Sequence, residues 1–444
     1  MLFVRHALPG ERVVARVTEG TDGDRFLRAD AITVLTSSPD RVAPRCPLSG
    51  PGQCGGCDWQ HASLPAQRAL KADVVHEQLL RLAGLDVEVT VEDVPGDDDG
   101  LGWRTRMQFA VSPSGRLGLR RHRSHDVLPV DSCPIAHPGV DATRVLQHLW
   151  PGVRSVDVVV PTGSAQADQP ALVVVEPAGA RRPPLPAVDA SVAVSDGHGA
   201  LVRARGRSWV REGVTSRGWQ RDFRVAGSGF WQVHPGAAST LVAAVLDALD
   251  PQPGDQVLDL YAGVGLFAAA IAERVAGPAA AAPAAPEGAV LEGAVLEDAM
   301  LEGAVLEDAM LEGAVLAVEG DARAVRDARR NLHDLRGVGI TQGRVDRVLA
   351  AMAPSGLRAD LVVLDPPRVG AGRVVMEQIC ALGPRSIAYV ACDPAALARD
   401  VAYAAEHGYR LAGIRAYDLF PMTHHIECVA TLVPTPAPPP PPPT

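Results

Sequence analysis

Residues 256–267, QVLDLYAGVGLF, set an apolar run before two glycines and lead into a helix-forming stretch, GLFAAAIAERV. A buried strand, a turn whose glycines let the backbone approach a ligand, and a helix N-terminus facing that turn make a cradle for a nucleotide-like molecule. Taken alone, GxG is a weak signal. Here an acidic residue, Glu319, closes the next apolar run, AVLAVEGD, where a carboxylate can accept both hydroxyls of a ribose. The third glycine of a dinucleotide fingerprint is absent. The DxxxGxG form, with Asp259, Gly263 and Gly265, suits S-adenosylmethionine better.

Outward from this stretch, AASTLVAAVLDAL (237–249) spaces its apolar residues as a helix, and LVVLDPP and SIAYVACDP read as further strands. Helices alternating with apolar strands from about residue 236 predict a doubly wound α/β domain. Ligands of such sheets bind beyond the carboxyl ends of the strands. VLDPPR (363–368) ends one strand with Asp365, two rigid prolines and Arg368. A turn with a capping aspartate would look the same. Cys392 ends the next strand, before Asp393–Pro394. A cysteine there is more often a small buried residue, but on this edge it is a candidate nucleophile, needing a partly polar setting to lower its pKa. FPMTHHIE (420–427) adds Thr423, His424, His425 and Glu427, the last between Ile426 and Cys428. Partial burial there would raise the Glu427 pKa toward a general base's range, although read alone the segment fits a structural salt bridge equally well.

The first half differs in texture. Residues 1–45 alternate short β-like runs with Gly and Asp turns, as a small barrel would, and are short for a closed one. Residues 64–84 space apolar positions at three and four and stop at Gly84, which predicts a helix; from about 100 to 225 the pattern is all-β. Between them lies RCPLSGPGQCGGCDWQH, with Cys46, Cys54 and Cys57; Cys133 follows far downstream. One CxxC joined by two single cysteines is metal-ligand spacing. An iron–sulfur cluster fits that asymmetry better than a zinc ribbon, which usually shows two CxxC pairs. Cys380 and Cys428 read as core residues.

No run approaches the ~18 apolar residues of a membrane span, and MLFVRHALPGERV lacks a secretory signal, so the sequence reads as cytoplasmic. The net charge of −10 owes eight units to the acids of residues 277–316, which carry no base. Residues 287–316 repeat a five-residue [GD]A[VM]LE unit that suits neither helix nor strand, and read as a tolerated insert running into the strand that ends at Glu319. A partner-binding helix is the rival for that repeat. Lys71 is the only lysine beside 41 arginines, which reads as genomic compositional bias, and the proline-rich tail will not pack.

Together, RCP…CGGCDWQH, Cys133, GFWQVHP, DLYAGVG, LDPPR, ACDPAALARD and FPMTHHIE resemble the bacterial RNA 5-methyluridine methyltransferases. The nearest likeness is to the 23S ribosomal RNA branch with a TRAM domain and a four-iron–four-sulfur cluster, and it covers nearly all of the chain outside the insert and tail. The resemblance implies a Rossmann-like class I methyltransferase domain at 226–433, interrupted by the insert 277–316. It implies a TRAM-like barrel at 1–45, incomplete at its start, and a β-rich RNA-binding domain at 46–225. The stretch 64–95 is expected to pack on the methyltransferase domain, and 434–444 to be a disordered tail. Cys46, Cys54, Cys57 and Cys133 would hold the cluster. Gln232, Tyr261, Glu319 and Asp365 would contact S-adenosylmethionine, with Cys392 as nucleophile and Glu427 as base. Arg104, Arg106, Arg120, Arg121 and Arg123 would help grip RNA, ribosomal or transfer, by a monomeric protein.

Four departures stand out. Seven residues separate the first two cluster cysteines where five is usual; Met422 replaces a polar residue; Arg344 stands where an acid or amide holds the adenine; and the TRAM segment matches only from its middle, as an upstream start codon would explain. Two rival classes are a redox or radical enzyme, which would want CxxxCxxC, and a non-catalytic RNA-binding protein, which would have lost Cys392 or Glu427.

Overall fold

Residues 1–163, 169–197, 199–276 and 314–436 are described by the computed structural model. The acidic repeat and the end of the tail lie outside the described residues. Strands β1 (Leu2–Arg5), β2 (Arg12–Glu19) and β3 (Leu27–Thr36) form a three-stranded sheet in the order β1-β3-β2. The sheet is open: no fourth strand closes it among the described residues, so the barrel expected for 1–45 is not what these residues build by themselves.

Helix α1 (Leu64–Gln78) is capped by the Ser63 hydroxyl, continues as one π-helical turn, and stops at Gly84, whose φ of +67° suits a left-handed cap. After the two-residue strand β4 (Val91–Glu92) come β5 (Arg106–Val111), β6 (Leu117–Arg120), β7 (Val127–Pro129), β8 (Val153–Val159), β9 (Leu172–Pro177), β10 (Ser191–Ser195) and β11 (Leu201–Arg205). These seven make one mixed sheet, order β11-β10-β9-β8-β5-β6-β7, over a core of Phe109, Trp150, Val156 and Val173. The all-β expectation for 100–225 is modified by a short helix, α2 (Pro138–Ala142), which brings Val140 into that core. The hairpin β12 (Trp209–Ser216) and β13 (Trp219–Ala226) belongs to a different core, shared with the helices that follow it.

Those helices and strands are α3 (Ala237–Leu249), β14 (Val257–Leu260), α4 (Leu266–Val275), β15 (Val315–Glu319), α5 (Ala322–Leu332), β16 (Val338–Gln342), α6 (Val345–Met352), β17 (Leu361–Leu364), α7 (Arg373–Ala381), β18 (Ser386–Ala391), α8 (Pro394–Glu406), β19 (Tyr409–Tyr417) and β20 (Glu427–Pro434). With β4 they form an eight-stranded sheet in the order β16-β15-β14-β17-β18-β20-β19-β4. β14 to β18 are parallel and nearly wholly apolar because both faces are covered. α3, α4 and α5 bury one face; α1, α6, α7 and α8 bury the other, where Val75 and Leu79 of α1 join the core. β20 alone runs against its neighbours, antiparallel to both β18 and β19. The sequence expectation of a doubly wound α/β domain agrees with this arrangement.

The described residues on either side of the repeat lie at the amino edge of this sheet. The Gly254 N–H donates to the Val275 carbonyl (3.0 Å) and the Val257 N–H to the Ala314 carbonyl (2.9 Å), so both flanks sit where β14 begins. Surface insertions are tolerated because each doubling of loop length costs only about 0.6 kcal/mol. Deleting residues 278–312 and joining the ends should leave cofactor affinity and turnover within a few-fold; a folded deletion variant without activity would contradict this placement.

Candidate active site

The carboxyl edge of the parallel strands collects most of the candidate residues. β14 ends in a turn that holds three left-handed residues, Tyr261 (φ +61°), Gly263 (φ +57°) and Gly265 (φ +91°). A side chain at Gly265 would collide with Leu332 Cδ1 at 2.7 Å, so glycine there lets α4 pack on α5, whereas the space before Gly263 is open. A tyrosine in the left-handed region is uncommon strain, of the sort that collects at ligand sites. Glu319 braces the turn: one carboxylate oxygen accepts the Gly263 N–H (2.9 Å) and the other the Asp321 N–H (2.6 Å). Each of its oxygens thus accepts one backbone N–H and retains capacity for a second hydrogen bond.

Asp259 departs from expectation. It is fully buried beneath the turn, its Oδ2 accepting the Ala268 N–H (2.8 Å) and its Oδ1 without a partner. Burial raises its pKa to about 8. It lies beneath the turn, covered by the start of α4. Gln232 is buried in the connection from β13 to α3, which Thr105 fastens by donating both N–H and hydroxyl to the Val233 carbonyl (2.9 Å each). Arg344 is exposed and forms a fork with Asp346 (3.0 and 2.8 Å).

The second cluster lies where β18 and β20 meet. Ala391 pairs with Cys428, so the next step in register sets Cys392 beside Glu427. Asp365, just past β17, and Arg368 face the same point: both carboxylates raise the Cys392 thiol, and the guanidinium partly offsets them. Glu427 is buried; desolvation first and Asp365 second push its pKa well above the ordinary carboxylate value. Burial likewise raises Asp365 to about 7. Cys392 is pushed up to about 11, by burial first and then by the two carboxylates. The lowered pKa expected of this cysteine is thus not a property of the free protein: burial, with two acids behind it, outweighs one arginine. His425 lies 3.4 Å from Arg368 and is held neutral, its pKa lowered to about 4 by burial, His424 and Arg368.

The four cysteines of the first half also come together, as free thiols. Cys46, Cys54, Cys57 and Cys133 line one cavity of about 370 Å³, with Gln60 and Arg104 in the same wall. The Gln60 side chain accepts the Cys46 N–H (2.8 Å), and the Gly55 N–H donates to the Arg120 carbonyl (3.2 Å), which closes the loop against β6. Burial raises Cys57 to about 12 and Cys133 to about 11. Among the described residues no three His, Cys, Asp or Glu side chains are grouped tightly enough to clasp a single metal ion. Of the arginines expected to grip RNA, Arg106 is already committed to Glu212 (3.1 Å) and the Gly229 carbonyl (2.7 Å), and Arg104 is half-buried behind the cysteines. Arg120 and Arg123 remain exposed, although Arg123 pairs with Glu19 (2.5 Å).

A family model described as tRNA (uracil-5-)-methyltransferase matches residues 340–434, the part that carries Asp365, Cys392 and Glu427. An RNA methyltransferase of Streptomyces avermitilis is 48% identical over 98% of this chain and 93% of its own length, and one of Bifidobacterium longum is 36% identical over 97% and 91%. The chain belongs to the bacterial RNA uracil-C5 methyltransferase family. It is an RNA methyltransferase. In fold it is similar to the crystal structure of the Pyrococcus abyssi tRNA (uracil-54, C5)-methyltransferase with S-adenosyl-L-homocysteine, at a TM-score of 0.66 and 23% identity, covering 97% of this chain and 95% of that one.

Sequence reasoning missed the residues that hold the 418–426 loop of this methyltransferase in place: Gln67, Lys71, Asp58 and Asp418. The solitary lysine was the one available signal. No helix among the described residues is long and apolar enough to cross a membrane. The electrostatics of Cys392 can be tested directly. With its thiol held near 11, iodoacetamide should label Cys392 at pH 8 far more slowly than an exposed cysteine, with a rate that climbs steeply above pH 9. Asp365→Asn removes one of the opposing charges and should accelerate labelling at pH 8 several-fold; peptide mass spectrometry reads both.

Proposed function

We propose that this protein transfers a methyl group from S-adenosylmethionine to C5 of a uridine in RNA, through a covalent bond between Cys392 and C6. The observation that carries the proposal is the pairing of Cys392 with Glu427 at the end of two antiparallel strands, beside Asp365. The residues fit the cofactor: an open space before Gly263, a braced Glu319 and a strained Tyr261 line the turn at the end of β14. Tyr261, Gly263, Gly265, Glu319, Gln232 and Asp365 are the proposed contacts, with Asp259 acting from beneath.

S-adenosylmethionine supplies an electrophilic methyl on a sulfonium. Uridine C5 is a poor nucleophile; the Cys392 thiol first gives its proton to solvent, and addition of the thiolate to C6 turns the ring into an enolate whose C5 can take that methyl. Glu427 then removes the C5 proton, the C5–C6 double bond reforms, and the thiolate leaves C6. Glu427 acts here as the carboxylate, and its raised pKa makes that carboxylate a stronger base for the C5 proton than an ordinary one. Cys392 would ionise more readily with a cationic cofactor bound, because positive charge nearby would offset the burial and the two carboxylates that raise its thiol. The target base must leave its stack to reach this buried edge.

Cys392→Ala should abolish methylation and form no adduct. Glu427→Gln should methylate once and then stall, giving a protein–RNA species that survives denaturation. Turnover by Cys392→Ala would sink the mechanism. For the substrate, 23S ribosomal RNA is our first reading, since the four-cysteine motif accompanies that branch of the resemblance. Transfer RNA is the second, favoured by the name of the matching family model and by the substrate of the Pyrococcus abyssi neighbour. The RNA fraction that loses 5-methyluridine in a deletion strain decides between them.

Cys46, Cys54, Cys57 and Cys133 fit a four-thiolate iron–sulfur cluster: four thiols line a cavity with room for more than one ion, and Arg104 stands near to balance the charge. The cluster would supply a cross-link within the β-rich half of the chain. Protein purified without oxygen should be brown and hold about four irons; stoichiometric zinc would assign the site to the ribbon class.

A further inference from the structure

Every basic side chain but one of the 42 lysines and arginines is an arginine, and the exception, Lys71, is 1% exposed. A compositional bias toward arginine would not by itself spare one buried lysine. Its ammonium sits 2.5 Å from Asp418 Oδ1 and 3.1 Å from the Phe420 carbonyl, with the Trp59 ring 6.0 Å away. One turn earlier on α1, Gln67 is 0% exposed and grips the same loop further on: its amide oxygen accepts the Met422 N–H (2.8 Å) and its nitrogen donates to Met422 Sδ (3.4 Å). The Trp59 N–H donates to the Met422 carbonyl (3.0 Å), and Met422 holds a left-handed φ of +67°. Residues 418–426 thus leave β19 at Tyr417, the partner of Glu427, and are pinned to α1 at their stem and near their apex before returning as β20.

Resting on the function proposed above, we propose that Lys71 and Gln67 are positioning residues that hold residues 418–426 as a roof over Cys392 and Glu427. A lysine suits the stem because a compact ammonium can meet a carboxylate and a carbonyl at once, where a planar guanidinium needs more room and a flatter arrangement of acceptors. The roof brings His425 to 3.4 Å from Arg368 and Phe420 against the ring of His425, 5.9 Å between centroids. Loosening it admits water to the thiol and the base while the cradle at Gly263, on the other side of β17, stays intact.

The test uses full-length protein with three changes: Lys71→Arg, Gln67→Leu, and the pair Lys71→Met with Asp418→Leu, which removes both buried charges together and so spares the fold the cost of stranding one. S-adenosylhomocysteine affinity, measured by calorimetry, should stay within two-fold of the parent. Turnover on RNA should fall at least ten-fold in the paired variant and in Lys71→Arg. Iodoacetamide labelling of Cys392 at pH 8, which needs no RNA, should rise at least five-fold. Folded variants with parental turnover and parental labelling would overturn the proposal, and full activity in Lys71→Arg would overturn the need for an ammonium. A parent that methylates no uridine would instead sink the proposed function, and the labelling comparison would still decide the role of Lys71.

Discussion

The site depends on one reversal in the sheet. A parallel strand at the position of β20 would present its last residue at the carboxyl edge, following a crossover; an antiparallel one presents its first. β19 reaches that edge, turns through residues 418–426, and β20 sets out from it at Glu427, directly across from the end of β18. Two residues far apart in sequence become neighbours because the β18–β20 ladder ends one step before them, at Ala391 and Cys428. Their spacing is therefore as rigid as the sheet, which suits a nucleophile and a base acting on adjacent carbons of one ring.

That rigidity has an electrostatic consequence. Two carboxyl groups and a thiol share a poorly solvated edge with a single guanidinium. Burial raises all three pKa values first, and the neighbouring carboxylates add to the rise of Glu427 and of the thiol. Such a cluster holds its protons at rest, and a cation placed beside it would favour ionisation. The sulfonium of the proposed cofactor is such a cation, and a nucleophile that stays a thiol until then is also protected from stray electrophiles and oxidants.

The cysteine cavity and this edge are not independent parts. Trp103, Ile135 and Met422 form a small core of their own, against which Cys57, Cys133, Val233 and Phe420 pack. Asp58, next to the CxxC, lies 2.6 Å from His424, and Trp59 bonds to Met422. The metal-type motif thus braces the loop that precedes Glu427, and the connection that carries Gln232 enters the same cluster. A stapled cysteine site would stiffen the catalytic loop without taking part in the chemistry.

The sequence by itself determined the doubly wound class, because strands buried on both faces must be apolar throughout and their helices must carry a stripe. It also determined the positions of Cys392, Glu427, Glu319 and the four cysteines as candidates, since glycine turns and lone reactive residues at strand ends are local signals. Only the tertiary structure decided what depends on distant neighbours. Whether Asp259 meets a ligand or lies beneath it turns on a helix that covers its carboxylate. Whether Cys392 is a thiol or a thiolate turns on its burial and on two acids from other parts of the sheet, and no spacing rule reaches across a sheet. Whether Arg106 is free for RNA turns on Glu212, more than a hundred residues away. Lys71 was visible as an oddity of composition, but its role required seeing helix α1 laid against a loop nearly 350 residues downstream.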